Sequence, residues 1–126
     1  MTRVLVIGDV HEPASHPAYL SFCQHLAEKW DTERVVFIGD ILDMHTVSFH
    51  PREPDALGAE DEAEQTRRLV SRWHKGFPDA TITIGNHDER VHRLASSVNI
   101  PARFIREFAD VWGTPTWKWV RAVAVD

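Results

Sequence analysis

The sequence predicts an α/β fold in which a mainly parallel sheet is covered by helices. Three short runs rich in Val, Ile and Thr, at residues 4–7, 35–38 and 81–84, have the near-continuous apolar character of buried parallel strands. Each run is followed by Gly and then by Asp or Asn. Amphipathic helical patterns fill the intervals between the runs. Strand and helix therefore alternate along the chain, which is the order that a parallel sheet requires.

The helices are predicted from apolar residues that recur at steps of three and four. One such pattern covers residues 19–30 and a second covers residues 66–77, where the acidic cluster at 60–64 precedes it. Acidic residues early in a helix favour its positive end. A third stripe, made by Phe104, Ile105, Phe108 and Trp112, predicts a helix that begins after Pro101. Residues 44–57 are predicted to form a loop, and the tail at 117–125 a further strand.

Length and composition narrow the class of protein. The 126 residues suit one compact domain that spans residues 1–126. The net charge is −5 and no stripe of Lys and Arg stands out, which argues against a broad surface for duplex DNA or anionic membranes. Cys23 is the one cysteine and is predicted to be a small buried residue. No apolar run suits a signal peptide or a membrane span, so a cytoplasmic location is predicted.

Polar side chains follow each predicted strand, where ligands gather in open α/β sheets. They are Asp9 and His11 after the first strand, Asp40 and Asp43 after the second, and Asn86, His87 and Asp88 after the third. Asp9 and His11 lie two residues apart, so a continued extended backbone would point both side chains the same way. The glycines at 8, 39 and 85 are predicted to allow tight turns. Carboxylates, imidazoles and an amide oxygen together suit a divalent cation.

Three short motifs carry a resemblance to a known family. They read GDVH at residues 8–11, GDILD at residues 39–43 and GNHD at residues 85–88. In this order, each after a predicted strand, they resemble the motifs of calcineurin-like metallophosphoesterases. The residues around them are similar to the small phosphoesterases of bacteriophage and prophage genomes. The resemblance implies hydrolysis of phosphodiesters or phosphomonoesters within an αββα sandwich of two sheets.

The resemblance also implies two divalent metal ions as cofactors. Asp9 and His11 would bind the first ion. Asp40 would bridge both ions, and Asn86 would bind the second through its amide oxygen. Mn²⁺ is the expected metal, with Fe, Zn or Ni as alternatives.

The resemblance implies a catalytic role for residues beside these ligands. A hydroxide held between the ions would attack phosphorus. His87 would donate a proton to the leaving oxygen or stabilise its charge, and Asp43 would orient the imidazole of His87. Asp88 would hold other site residues in place without binding metal itself, or it would cap the helix that begins there.

The chain departs from the family pattern in two places. The family's later histidine motifs have no counterpart, because no His follows His92, so the chain is expected to be the amino-terminal part of the fold without its C-terminal half. Trp117 and Trp119 would then present open apolar surface to a second copy or a second chain. Met44 stands where the protein-phosphatase branch has Arg, which argues against phosphoproteins. Nucleotides, nucleic-acid ends and small phosphoesters remain as substrates.

Two other readings compete with a metallophosphoesterase. The chain would be a degenerate metal-binding or interaction module if it keeps the scaffold without turnover. A flavodoxin-like or Rossmann-like nucleotide binder shares the alternation of strand and helix, but no GxGxxG motif follows the first strand. Arg90 and Arg93 have the charge to contact a phosphate, although a helix turn of mixed charge is more often a solvated face.

Overall fold

The computed structural model describes residues 1–48, 54, 55 and 57–125. Strands and helices alternate through the first three strands, as the sequence predicts. In chain order the elements are β1 (Val4–Ile7), α1 (Tyr19–Lys29), β2 (Arg34–Phe37), α2 (Ala59–Gly76), β3 (Ala80–Thr83), α3 (Arg90–Ser97), a 3₁₀ turn (Ala102–Phe104), α4 (Phe108–Trp112) and β4 (Lys118–Val120). Within the predicted loop at 44–57, positions 49–53 and 56 lie outside the described residues. In the described residues, no helix combines the length and apolar character needed to cross a bilayer.

The four strands form one sheet that is parallel throughout, which confirms the predicted fold class. Their order in space, β1-β2-β3-β4, is their order in the chain. Each new strand is added on the same side of the previous one. Because crossovers between parallel strands are right-handed, the connecting helices then lie on one face of the sheet. Accordingly Phe37 is buried beneath α2, whereas Val6 and Ile38 on the opposite face keep 49% and 57% of their surface exposed.

The core forms between the sheet and α2. Trp73 on α2 is 1% exposed and packs edge-on against Phe37 of β2 and Tyr19 of α1, with ring centroids 5.7 and 5.4 Å apart. Acidic residues fill the first turn of α2, as predicted. Cys23 on α1 is buried, and burial raises the pKa of its thiol to about 11. The well-packed core between the sheet and α2 therefore holds the ends of the strands in place.

The predicted helix after Pro101 is wrong in its extent. A short 3₁₀ turn ends at Phe104, Ile105 takes an extended conformation, and α4 begins only at Phe108. Phe104 is 76% exposed. Because the side chain of Phe104 is not buried, the full apolar stripe does not pack against the core and one continuous helix is not stabilised.

Of the two C-terminal tryptophans that were predicted to be exposed, Trp117 is buried and Trp119 is half-buried. Trp117 is 4% exposed, and its indole N–H donates to the main-chain oxygen of Phe77 at 2.7 Å. Trp119 stacks on Phe108 with ring centroids 4.9 Å apart. The strand itself is shorter than predicted, and the tail beyond it reaches Arg34, whose Nη1 donates to the main-chain oxygen of Ala124. The chain thus covers most of this aromatic surface with its own residues.

Candidate metal centre

The loops after β1 and β2 are joined by backbone hydrogen bonds beyond the ends of the strands. The N–H of His11 donates to the oxygen of Asp40, and the N–H of Asp43 donates to the oxygen of Glu12, each at 2.9 Å. An isolated parallel bridge between Glu12 and Leu42 continues the pairing. This second, short ladder brings the polar side chains of the first two motifs together.

Left-handed backbone, rather than continued extended backbone, turns the site side chains inward. Asp9, His11, Asp40 and Met44 have φ values of 50°, 53°, 55° and 52°. The expected extended geometry from Asp9 to His11 is therefore wrong, although their side chains still meet. Such conformations cost on the order of 1–3 kcal/mol each and cluster at functional sites. Gly39, with φ 94°, adopts the same region without that cost.

Asp88 holds the second and third loops together. Its carboxylate is buried and accepts the main-chain N–H groups of Asp40, Leu42 and Gly85 at 2.9, 3.0 and 2.8 Å. Burial raises the pKa of Asp88, although its hydrogen bonds with the main chain partly offset that shift. The alternative role as a helix cap is wrong, since α3 begins at Arg90 and has no side-chain cap.

Close packing explains the glycine of the third motif. A Cβ atom at Gly85 would collide with the main-chain N and Oδ1 of Asp40. The same Oδ1 accepts the N–H of His87 at 2.8 Å. The carboxylate of Asp40 is therefore fixed between the second and third loops, and a larger residue at position 85 would displace it.

Three side chains from the three loops converge at this edge. Donor atoms of His11, Asp40 and His87 all lie within 4.8 Å of one another, and each side chain is partly buried. The two imidazole rings are 4.6 Å apart and nearly perpendicular. Imidazole and carboxylate ligands are typical of Zn, Mn and other divalent transition metals. His11 and Asp40 lie together, as the sequence predicts, and the structure adds His87 to them.

The carboxylate of Asp43 orients His11. Oδ1 of Asp43 lies 3.0 Å from Nδ1 of His11, so Nδ1 carries a proton and Nε2 is the ring nitrogen that could bind a cation in place of its contact with Asp9. Partial burial lowers the pKa of His11, but the hydrogen bonds with Asp43 and Asp9 and the charge of Asp40 outweigh it, and the net pKa is raised. This arrangement of carboxylate and imidazole is the usual support for a metal-bound histidine.

Nε2 of His11 faces two further carboxylates. It lies 3.4 Å from Oδ1 of Asp9 and 3.8 Å from Oδ2 of Asp40. Two atoms that bind one ion at about 2.0–2.2 Å are separated by about 2.8–3.6 Å for octahedral or tetrahedral angles. Each of these two pairs therefore fits a shared divalent cation with a shift of at most a few tenths of an ångström, whereas the group that includes His87 spans up to 4.8 Å and would have to contract further.

His87 is oriented by the main chain of Asp43. Nδ1 of His87 lies 2.8 Å from the carbonyl oxygen of Asp43, so Nδ1 carries a proton. Nε2 lies 3.4 Å from Nη2 of Arg90, and a guanidinium can only donate. Both neighbours therefore favour a proton on Nδ1 and a lone pair on Nε2. The carboxylate of Asp43, which the sequence analysis assigned to His87, lies closer to His11.

Asp9 and Asn86 stand at the rim of the site. The side chain of Asp9 is 80% exposed and contacts His11. Asn86 is exposed beside His87 and has no hydrogen-bond partner in the described part of the chain. Their metal-binding roles, like the proton-donor role of His87, stay predictions.

Two charged residues that support the site were missed by the sequence analysis. Glu62 was interpreted only as an acidic residue early in a helix, yet it is buried against the loop after β2. Arg90 was predicted to lie on a solvated face of its helix, yet its Nη1 donates to the main-chain oxygens of Asp43 and Met44. No local pattern distinguishes either residue from its charged neighbours, because its contacts are long-range.

Comparison with known proteins agrees with the geometry. The family model for calcineurin-like phosphoesterases matches residues 2–121. No curated protein and no solved structure matches the chain significantly. The match covers all three motifs, the four strands and the converging His11, Asp40 and His87. The chain belongs to the calcineurin-like phosphoesterase family.

Proposed function

We propose that this protein hydrolyses phosphate esters, either phosphodiesters or small phosphomonoesters, with divalent metal ions at the site of His11, Asp40 and His87. The observation that carries the proposal is the convergence of these three donor side chains within 4.8 Å at the carboxyl edge of the sheet. Family membership supports the reaction class. Mn²⁺ is the first metal to test.

The charge around His11 also supports a cation. Three carboxylates, those of Asp9, Asp40 and Asp43, lie within 3.8 Å of its two ring nitrogens. Like charges gathered in this way repel one another unless a cation or proton compensates them. When bound, a divalent cation would neutralise phosphoryl charge and lower the pKa of a water molecule.

The residues of the chain would prepare the site for that chemistry. Asp43 orients the ring of His11 so that Nε2 faces the carboxylates of Asp9 and Asp40, and the main-chain N–H of His87 fixes Asp40. A second ion would draw on Asn86 at the exposed rim and on the remaining oxygen of Asp40. Arg90 adds a positive charge at the same edge, which favours an anionic substrate.

Hydrolysis of chromogenic substrates tests the proposal. Bis(p-nitrophenyl) phosphate and p-nitrophenyl phosphate separate diester from monoester activity, each with Mn²⁺ and with chelator. We expect Mn²⁺-dependent release of nitrophenol that is lost in Asp40→Asn and kept in the exposed control Asp79→Asn. Mn²⁺ binding without turnover of either substrate would favour the degenerate module, and no metal effect at all would refute the proposal.

A further inference from the structure

The segment of residues 43–46, which begins at the last residue of the second motif, contacts both imidazoles of the candidate metal centre. The side chain of Asp43 holds His11, and its main-chain oxygen holds His87. Apart from the N–H of Asp43, which donates to the oxygen of Glu12, the segment belongs to no helix or strand ladder, and Met44 within it has left-handed backbone with φ 52°. Its conformation must therefore be held by groups from elsewhere in the fold.

Glu62 of α2 holds one side of the segment 43–46. Its side chain is almost fully buried and accepts the main-chain N–H groups of His45 and Thr46 at 3.0 and 3.1 Å. The hydroxyl of Thr46 donates to the same carboxylate at 2.7 Å. Hydrogen bonds to an ionised carboxylate are among the strongest in proteins. Three of them on two consecutive residues fix the position of this part of the loop.

Arg90 of α3 holds the other side. Nη1 donates to the main-chain oxygens of Asp43 and Met44 at 2.8 and 3.1 Å, and Nη2 reaches toward Nε2 of His87. Glu62 thus accepts hydrogen bonds from main-chain N–H groups of the segment 43–46, and Arg90 donates hydrogen bonds to main-chain oxygens of the same segment. The two charges come from helices that precede and follow the third motif, so neither contact is local.

We propose that Glu62 and Arg90 are positioning residues, which together fix the segment 43–46 and thereby the orientation and tautomer of His11 and His87. The inference rests on the proposed function, in which the two imidazoles bind metal. Glu62 acts through the loop backbone and Asp43. Arg90 acts through the same backbone, and in the metal-free protein its Nη2 faces Nε2 of His87, so that the proton stays on Nδ1.

The first test measures metal affinity in folded variants. Glu62→Gln and Arg90→Gln are compared with matched controls on the same helices, Glu64→Gln and Arg93→Gln, whose side chains are exposed. Loss of supporting hydrogen bonds around metal ligands typically lowers affinity about 10–100-fold, and we expect that loss for Mn²⁺ by calorimetry in the two variants but not in the controls. Arg90→Lys should restore part of the affinity, because one cationic donor remains. Affinities within twofold of wild type for both variants would overturn the proposal.

A double variant tests whether the two residues act through one segment. If they do, the loss of affinity in Glu62→Gln/Arg90→Gln is smaller than the product of the two single losses. Losses that multiply would show independent effects and would overturn the joint role.

The second test needs no metal. In the metal-free protein, Glu62→Gln should speed amide hydrogen exchange at His45 and Thr46, and Glu64→Gln should not. Nitrogen NMR of His87 should show the Nδ1-protonated tautomer in wild type and a mixture of tautomers in Arg90→Gln. If wild type binds no Mn²⁺, the proposed function fails, while these readouts still decide whether the two residues hold the loop. Unchanged exchange and an unchanged tautomer would overturn the inference.

Discussion

Substitution of Asp88 by Asn tests how the three loops are held at the sheet edge. Oδ2 of Asp88 accepts two N–H groups and Oδ1 accepts one, that of Leu42. Asn has one accepting oxygen, so its best orientation keeps two of these bonds and directs its amide N–H₂ against the N–H of Leu42. A buried donor without an acceptor costs about 1–3 kcal/mol. Burial raises the pKa of Asp88, which means that the ionised carboxylate lowers the stability of the folded protein. A neutral Asn does not carry this cost.

We therefore expect Asp88→Asn to lower the free energy of unfolding at neutral pH by about 1–2 kcal/mol, the lower part of that range. Asp88→Ala leaves all three donors without an acceptor and should cost at least about 3 kcal/mol. Urea unfolding followed by tryptophan fluorescence measures both, with Asp79→Asn, an exposed residue ahead of β3, as the control. A change within about 0.5 kcal/mol for both Asp88 variants would refute the reasoning, because that is the range of ordinary surface substitutions.

Three further predictions concern the site. Asp43→Asn should lower Mn²⁺ affinity about 10–100-fold, measured by calorimetry, because His11 loses its orienting carboxylate; an unchanged affinity would contradict this. Because the pKa of His11 is raised above 6.5, Mn²⁺ binding should weaken as the pH falls through the raised value. In the metal-free protein the stability depends on pH in the opposite direction. The stabilisation from protonated His11 is present below pH 6.5 and is lost as the pH rises through the raised pKa. Thermal unfolding with and without Mn²⁺ should therefore show opposite pH trends, and parallel trends would exclude this role of His11. Gly85→Ala should lower both the melting temperature and Mn²⁺ affinity by displacing Asp40, whereas Gly58→Ala, where a Cβ meets open space, should change neither much.

The sheet and its carboxyl edge were predictable from sequence because their signals are local. Buried parallel strands require continuous apolar runs, and each run here ends at a Gly and a polar residue. Parallel order places His11 and Asp40 at the same edge of the sheet, since all the strands end there. Cys23 was likewise predicted correctly, because it lies on the apolar face of its helix.

The features that were missed depend on long-range contacts. The left-handed backbone at Asp9 and Asp40 is set by the ladder between the loops, not by local preference. The burial of Trp117 depends on where β4 enters the sheet, which periodicity does not give. The roles of Glu62 and Arg90 arise from main-chain groups that distant parts of the chain place beside them. A charged residue early in a helix has the same local pattern whether it is solvated or buried.

Anomalous diffraction from crystals grown with Mn²⁺ tests the central claim most directly. The account predicts a manganese peak within about 2.0–2.3 Å of Nε2 of His11 and a carboxylate oxygen of Asp40, with His87 beside it. The peak should vanish in crystals of Asp40→Asn. A manganese peak bound elsewhere, or the absence of any peak between His11 and Asp40 at saturating Mn²⁺, would contradict the account.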